Sequence, residues 1–432
     1  MIKATSAVLG LAIATAGAAP YWFGKETEEF YFAQLASLEA RPGIDIVDSR
    51  FNGGWFRSTA RTTIKFERPP IEMNIEHEFA HGPLPRVDSE IAAGRFKVAL
   101  SDAVSRVRIR GVDAARTTPL LTVRTLVELD GVTTGIITIP ASSIMLDNET
   151  RLDSKLADGD YEYNPNQKST AIHLELPTLT LTGKSGTIEF RSLLIESNAQ
   201  RVENQLSPGQ MRVSAKHVVL RQAGVTHAPI ALRELTVTSI LAVSDVVVDY
   251  VLRVGFDSLS AAGHTYGPGS WEFMAEGLDP VTMAKVQKVA AVGDTAQSLS
   301  VLVDALNDSK PVLRSSLNVE TTDGPITGQA QLEVQPPTPV TNVFQLLQAV
   351  ALEVMLEFPE YVAVALISAP ASSQQSELQR AQLARDQLER WVTEGRLVRL
   401  DDSRYQFAMR YADSALSLNG APVTLPLGFG TQ

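Results

Sequence analysis

The sharpest chemical pattern in the chain is His77-Glu78-Phe79-Ala80-His81. It matches H-E-x-x-H, in which a helix sets two histidines one turn apart on zinc and the glutamate polarises the bound water. The surrounding residues oppose that use. Ile71, Met73, Ile75, His77, Phe79 and His81 form one alternating apolar-and-histidine series that ends at Gly82-Pro83, the pattern of a strand. In a strand rising ~3.4 Å per residue, His77 and His81 would stand ~13 Å apart, too far to share one zinc ion. The expectation is a histidine pair on the solvent side of a strand or bonded in its turn.

The remaining histidines, His173, His217, His227 and His264, are scattered without ligand spacing. There is no Gly-x-Ser-x-Gly elbow, no glycine-rich phosphate loop and no dinucleotide fingerprint. Asp401-Asp402 has the character of a solvated turn. The chain has no cysteine, which removes disulfides, thiolate nucleophiles, cysteine-held zinc, iron–sulfur clusters and a lipoprotein anchor. No catalytic, metal-binding or cofactor-binding residue is assigned, no cofactor is expected, and the protein is expected not to be an enzyme. A zinc-dependent envelope hydrolase acting through His77 and His81 is the alternative.

The aromatic residues at glycine turns are the other candidates. Trp55, Phe56, Tyr266 and Trp271, with His81, are the candidates for a ligand or interface surface. Packing at the corners of sheets is the competing use of the four aromatics, and the one favoured here.

The elements that must position these residues are mostly strands. From Ile44 to about Val334 apolar and polar residues alternate, as in Val107 and Ile109, in Ile172, Leu174 and Leu176, and from Val248 to Phe256. A period of two with one wet face is typical of antiparallel sheet. Asn52-Gly53-Gly54, Gly82-Pro83, Gly267-Pro268-Gly269 and Asp323-Gly324-Pro325 mark turns. Helices are expected over Glu26–Leu38, with Phe30, Leu35 and Leu38 on the apolar side, and over Asp279–Val292, Val343–Leu356 and Ser376–Thr393. Strands return over Leu397–Leu427, with Asn419-Gly420 as a hairpin turn. The expected class is α+β, predominantly antiparallel β, with large curved sheets, an N-terminal membrane helix and a few packed helices, two of them near the C-terminus. Residues 1–25 form the signal or anchor, 26–335 the β-rich body, and 336–432 a helical pair with C-terminal strands packing on the body. The break is placed at Pro336-Pro337-Thr338-Pro339.

The N-terminus sets the expected location. Residues 4–23 are an apolar run of a length that spans a bilayer core of ~30 Å, with Lys3 before it and Tyr21-Trp22 at its far end. An inner-membrane anchor with the body in the periplasm is expected. The alternative is a soluble periplasmic protein released by cleavage near Ala18. The net charge of −11, with both signs interspersed, argues against a nucleic-acid partner. Small residues in the anchor admit self-association.

Several landmarks together resemble the YdgA-like family of Gram-negative envelope proteins, a domain of unknown function (DUF945). They are Pro20-Tyr21-Trp22-Phe23-Gly24, Phe51-Asn52-Gly53-Gly54-Trp55-Phe56-Arg57-Ser58, and His81-Gly82-Pro83-Leu84. Further on stand Tyr266-Gly267-Pro268-Gly269-Ser270, Gly277-Leu278-Asp279-Pro280, and Leu416-Ser417-Leu418-Asn419-Gly420-Ala421-Pro422. The resemblance implies an inner-membrane-anchored periplasmic protein and supplies no reaction and no catalytic residues. The function expected from residues and resemblance together is a non-enzymatic binding or scaffold module for lipid or another envelope protein.

Overall fold

A computed structural model of the chain describes residues 2–39, 43–67, 71–82, 99–109, 119–145, 149–200, 206–224, 229–244, 247–261, 263–281, 283–285, 310–334, 345, 349–368 and 377–423, the side chains of 2–19, 37, 71, 366, 368 and 377 excepted. It divides into two compact units. Unit 1 is Met1–Glu203 with Met211–Ser214 and Gln222–Gly224; unit 2 is Asn204–Gln210, Ala215–Arg221 and Val225–Gln432.

Unit 1 begins with helix α1 (Ile2–Glu39). Among the described residues the strands that follow are β1 (Ile44–Asn52), β2 (Arg57–Phe66), β3 (Ile71–His81), β4 (Ser101–Ile109), β5 (Leu121–Val127), β6 (Thr133–Ile139), β7 (Ser142–Met145), β8 (Arg151–Ser154), β9 (Ala157–Asn164), β10 (Ser169–Gly183) and β11 (Gly186–Gln200). Strands β1 to β6 pair antiparallel in chain order. Then β6 pairs with β9, β9 with β10, and β10 with β11. The apolar phase of β10 changes from Ile172, Leu174 and Leu176 to Leu179 and Leu181 across Pro177, and Ser192 on β11, in the facing position, takes φ +51°.

Strand β12 (Gly209–Gln222) is divided between the units. Unit 2 continues with β13 (Ile230–Val243), β14 (Val248–Phe256), β15 (Ser258–Ala261), β16 (His264–Tyr266), β17 (Gly269–Leu278), β18 (Val312–Val319), β19 (Ile326–Val334) and β20 (Val350–Pro359). Helices α2 (Glu360–Ser368) and α3 (Glu377–Thr393) precede β21 (Val398–Arg399), β22 (Arg404–Ala412), β23 (Ala415–Leu418) and β24 (Ala421–Val423). The ladder β14–β17–β18–β19–β20–β22–β23–β24 is antiparallel throughout. The predominantly antiparallel β class expected from alternation is therefore the observed one. Two hairpins close with paired left-handed residues, Asp413-Ser414 and Asn419-Gly420, the second as expected.

The helices differ from expectation in part. Residues 350–356 of the expected helix Val343–Leu356 are strand: Leu352, Val354, Leu356 and Phe358 alternate with Glu353, Met355 and Glu357. That period of two outweighs the helical propensity of leucine, methionine and glutamate because both ladder neighbours are present. The second C-terminal helix is instead α2, which follows directly on β20. Helix α3 matches its expected span and ends at Gly395 (φ +72°), where the Arg396 N–H bonds the Trp391 carbonyl at 2.8 Å and the Gly395 N–H bonds the Val392 carbonyl at 3.0 Å. Tyr405, Leu388, Ala363 and Leu397, with Phe358 and Trp391 against them, form the core that seats both helices. Of Asp279–Val292, only the first turn is described, with the Met283 N–H on the Asp279 carbonyl at 2.8 Å; residues 286–292 and Pro336–Pro339 lie outside the described residues. The strands flanking that proline run pair with each other, Val334 opposite Val350.

Among the described residues no helix is long and apolar enough to cross a membrane, and the side chains of 4–19, most of the expected span, lie outside them.

Candidate functional site

The sequence landmarks Pro20–Gly24, Phe51–Ser58 and His81-Gly82 meet at one place in unit 1. Helix α1 lies on a face of β1–β4 built from small residues: Ser58, Ala60 and Thr62 of β2 and Ala103 of β4 are all buried. Their shortness lets the helix approach, and Phe23, Thr27 and Tyr31, one turn apart, fill the contact with Leu35 beyond them. The docked side is therefore set by Phe23, Thr27 and Tyr31 rather than by the expected series Phe30, Leu35 and Leu38; of those three only Leu35 joins it. Tyr31 lies within a ring cluster of Phe51, Phe79 and His77 at centroid distances of 5.5, 6.2 and 5.6 Å, and its hydroxyl bonds Thr62.

His77 and His81 are on β3, as the alternation predicts, and both face this contact rather than solvent, which corrects the solvent-side expectation. The period of two dictates it: Phe79 between them is buried against Tyr31, so its i±2 neighbours share its face. His81 Nε2 is 2.7 Å from Ser58 Oγ, which also accepts the Gly54 N–H at 3.1 Å. The His81 backbone N–H bonds the Phe56 carbonyl at 3.0 Å, fixing the strand end to the β1–β2 turn. His77 Nδ1 is 2.7 Å from Ser105 Oγ. Burial holds the His77 imidazole down at about 4, and burial lowers His81 as well. Both rings are neutral at physiological pH. Gly24 of α1 sits directly over His81: a Cβ there would stand 3.3 Å from the His81 ring and 3.4 Å from the Gly54 carbonyl oxygen.

Glu78 points to the opposite face of β3. There it pairs with Arg106 at 2.6 Å, beside Glu76, which Arg61 and Arg108 grip from the neighbouring strands and hold below the usual carboxylate range. The three residues that would have to converge for zinc hydrolysis thus lie on two faces of one strand. Among the described residues no group of three or more histidine, aspartate or glutamate side chains is placed to hold a metal ion. The Ser58–His81 pair has the polar atoms of a nucleophile and its base, but both residues are buried under α1, so the pair acts as a clasp between β2, β3 and the helix.

The expected surface residues separate into two places. Trp55 and Phe56, at the β1–β2 tip, are 52% and 63% exposed, and Trp55 lies 5.3 Å from the ring of Tyr21. His81 is buried just behind them. Tyr266 and Trp271 are in unit 2 and half-buried. Tyr266 stacks on Tyr361 at 6.4 Å, and Trp271 donates its indole N–H to Ser315 Oγ at 2.8 Å. The sequence reading missed Tyr31, Thr62 and Ser105. The small-residue run Ser58, Ala60, Thr62 on alternate positions of β2 is the signal that marks a seat for a helix.

Unit 2 carries a groove of about 680 Å³ across β17, β18, β19, β20, β22 and β23. Its walls combine Met274, Met355 and Met409 with Gln329, Gln331 and charged residues. Arg314 is paired with Glu276, Arg253 with Glu272 at 2.5 Å, and Arg410 with Glu353 at 3.1 Å. Such a wall offers hydrogen bonds and adaptable apolar contact and no free charge of one sign.

The family described as "Bacterial protein of unknown function (DUF945)" matches residues 1–426, and the chain belongs to it. No curated protein and no solved structure matches the chain.

Proposed function

We propose that this member of the family is an inner-membrane-tethered, non-enzymatic envelope protein whose body works in the periplasm and binds another envelope protein. The groove of unit 2 carries the binding reading. Its methionines, glutamines, serines and paired charges suit a polypeptide surface better than an acyl chain, which would favour a wall without Glu353 and Arg410. The tether reading is supported by the apolar run at 4–23 and by its continuity with the part of α1 fastened to β1–β4.

The zinc-hydrolase alternative has the geometry of β3 against it, with Glu78 turned away from His77 and His81 and each histidine bonded to a serine.

A photoreactive residue at Met355, which is 40% exposed, tests the binding reading in the full-length protein in its native membrane. A discrete protein adduct is expected, and it is expected to disappear when Arg410→Glu breaks the pair with Glu353 at the groove wall. Adducts to lipid alone, or a protein adduct indifferent to Arg410→Glu, would contradict it.

A further inference from the structure

We propose that the β1–β2 tip, through Trp55 and Phe56, sits in the headgroup region of the same bilayer that holds α1, giving unit 1 a second contact with the membrane. The proposal rests on residues 4–23 being the membrane span, and its first support is level. A span of 4–23 puts the outer bilayer boundary at Tyr21–Phe23. The hairpin tip stands at that height: the Gly54 carbonyl approaches Gly24, and the Trp55 ring lies 5.3 Å from Tyr21.

Exposure and composition agree. Tyr21 and Trp22 are 51% and 57% exposed, so with Trp55 and Phe56 four large aromatic side chains open to the surroundings at one level. Their exposed faces gather apolar surface at one place, and tyrosine and tryptophan are favoured where an apolar body meets a wet boundary. The tip sequence Asn52-Gly53-Gly54-Trp55-Phe56-Arg57 has no acidic residue, and the exposed Arg57 can extend to lipid phosphate. The register places the β5–β6 turn at the same end of unit 1, with Glu128 and Asp130 in it, so immersion is confined to the hairpin. Gly53, with open space around its missing side chain, leaves the tip narrow.

The chain has no cysteine, so single-site labelling needs no background substitutions. Phe56→Cys, Ala12→Cys and Lys65→Cys, each spin-labelled in the full-length protein, are reconstituted in phosphatidylethanolamine–phosphatidylglycerol liposomes. Collision with oxygen, which concentrates in lipid, is compared with collision with a water-soluble nickel chelate. Lys65 lies at the far end of β2, roughly 30 Å from the tip. The oxygen-to-nickel ratio is expected to be several-fold higher at 12 and at 56 than at 65. A high ratio at 12 with an aqueous one at 56 would overturn the hairpin contact and leave the tether standing. Shielding of 56 from both reagents would overturn it in favour of a protein or second-copy contact. An aqueous ratio at 12 would overturn the tether itself, and the hairpin contact with it.

Discussion

Ser58 Oγ and His81 Nε2 lie 2.7 Å apart, both buried, on adjacent strands directly beneath Gly24 of the N-terminal helix. Among the described residues His81 Nδ1 has no hydrogen-bond partner, and Ser58 is the side chain there that bonds the ring. Ser58→Ala leaves both ring nitrogens unpaired in a buried site and is expected to cost about 1–3 kcal/mol. The expected sign is a lower denaturation midpoint of unit 1, with faster hydrogen exchange in β2, β3 and residues 23–35 of α1. Unchanged exchange in the helix would mean that the pair does not hold it.

Gly24→Val addresses the same contact from the helix. A Cβ alone meets His81 at 3.3 Å and the Gly54 carbonyl at 3.4 Å, so a branched side chain cannot fit without displacement. Overpacking of this kind costs about 1–3 kcal/mol. Limited proteolysis is expected to cut the 20–40 region of the variant and spare it in the native protein.

The pH dependence follows from His77. Its ordinary value of 6.5 falls to about 4 in the folded protein through burial. Above pH 6.5 the ring is neutral in both states and contributes nothing to pH dependence. Between 6.5 and 4 the unfolded chain binds the extra proton, so stability drops as pH falls through that window, by about 3 kcal/mol at its end. In His77→Gln that portion of the drop is expected to vanish, read as the difference in denaturation midpoint between pH 7.5 and 4.5. An unaltered pH profile would show that His77 titrates normally.

Metal analysis separates the clasp from a zinc site. The purified protein is expected to hold less than stoichiometric zinc, and His77→Ala is expected to lower stability without changing metal content. Stoichiometric zinc lost in His77→Ala would reinstate the hydrolase reading.

Much of this arrangement was legible in the residues, because alternation is a local property. Ile71 through His81 gave the strand that excludes one shared zinc, Val248 to Phe256 gave β14, and Gly395 gave the end of α3. What alternation does not encode is which face another element covers. His77 and His81 face inward because Phe23, Thr27 and Tyr31, far earlier in the chain, land on the face made by Ser58, Ala60 and Thr62. Strand β20 was hidden for a different reason. Ala351, Leu352, Glu353, Met355, Leu356 and Glu357 are good helix formers, and the ladders to Leu332 and Tyr411 that hold Leu352 extended are long-range.

The most direct measurement is protease accessibility of the full-length protein in intact cells, spheroplasts and inverted inner-membrane vesicles, combined with carbonate extraction. The body is expected to be digested in spheroplasts only, with the N-terminal fragment resisting carbonate in the membrane pellet. Digestion in inverted vesicles with protection in spheroplasts, or release of the whole chain by carbonate, would contradict a periplasmic body held by an N-terminal tether.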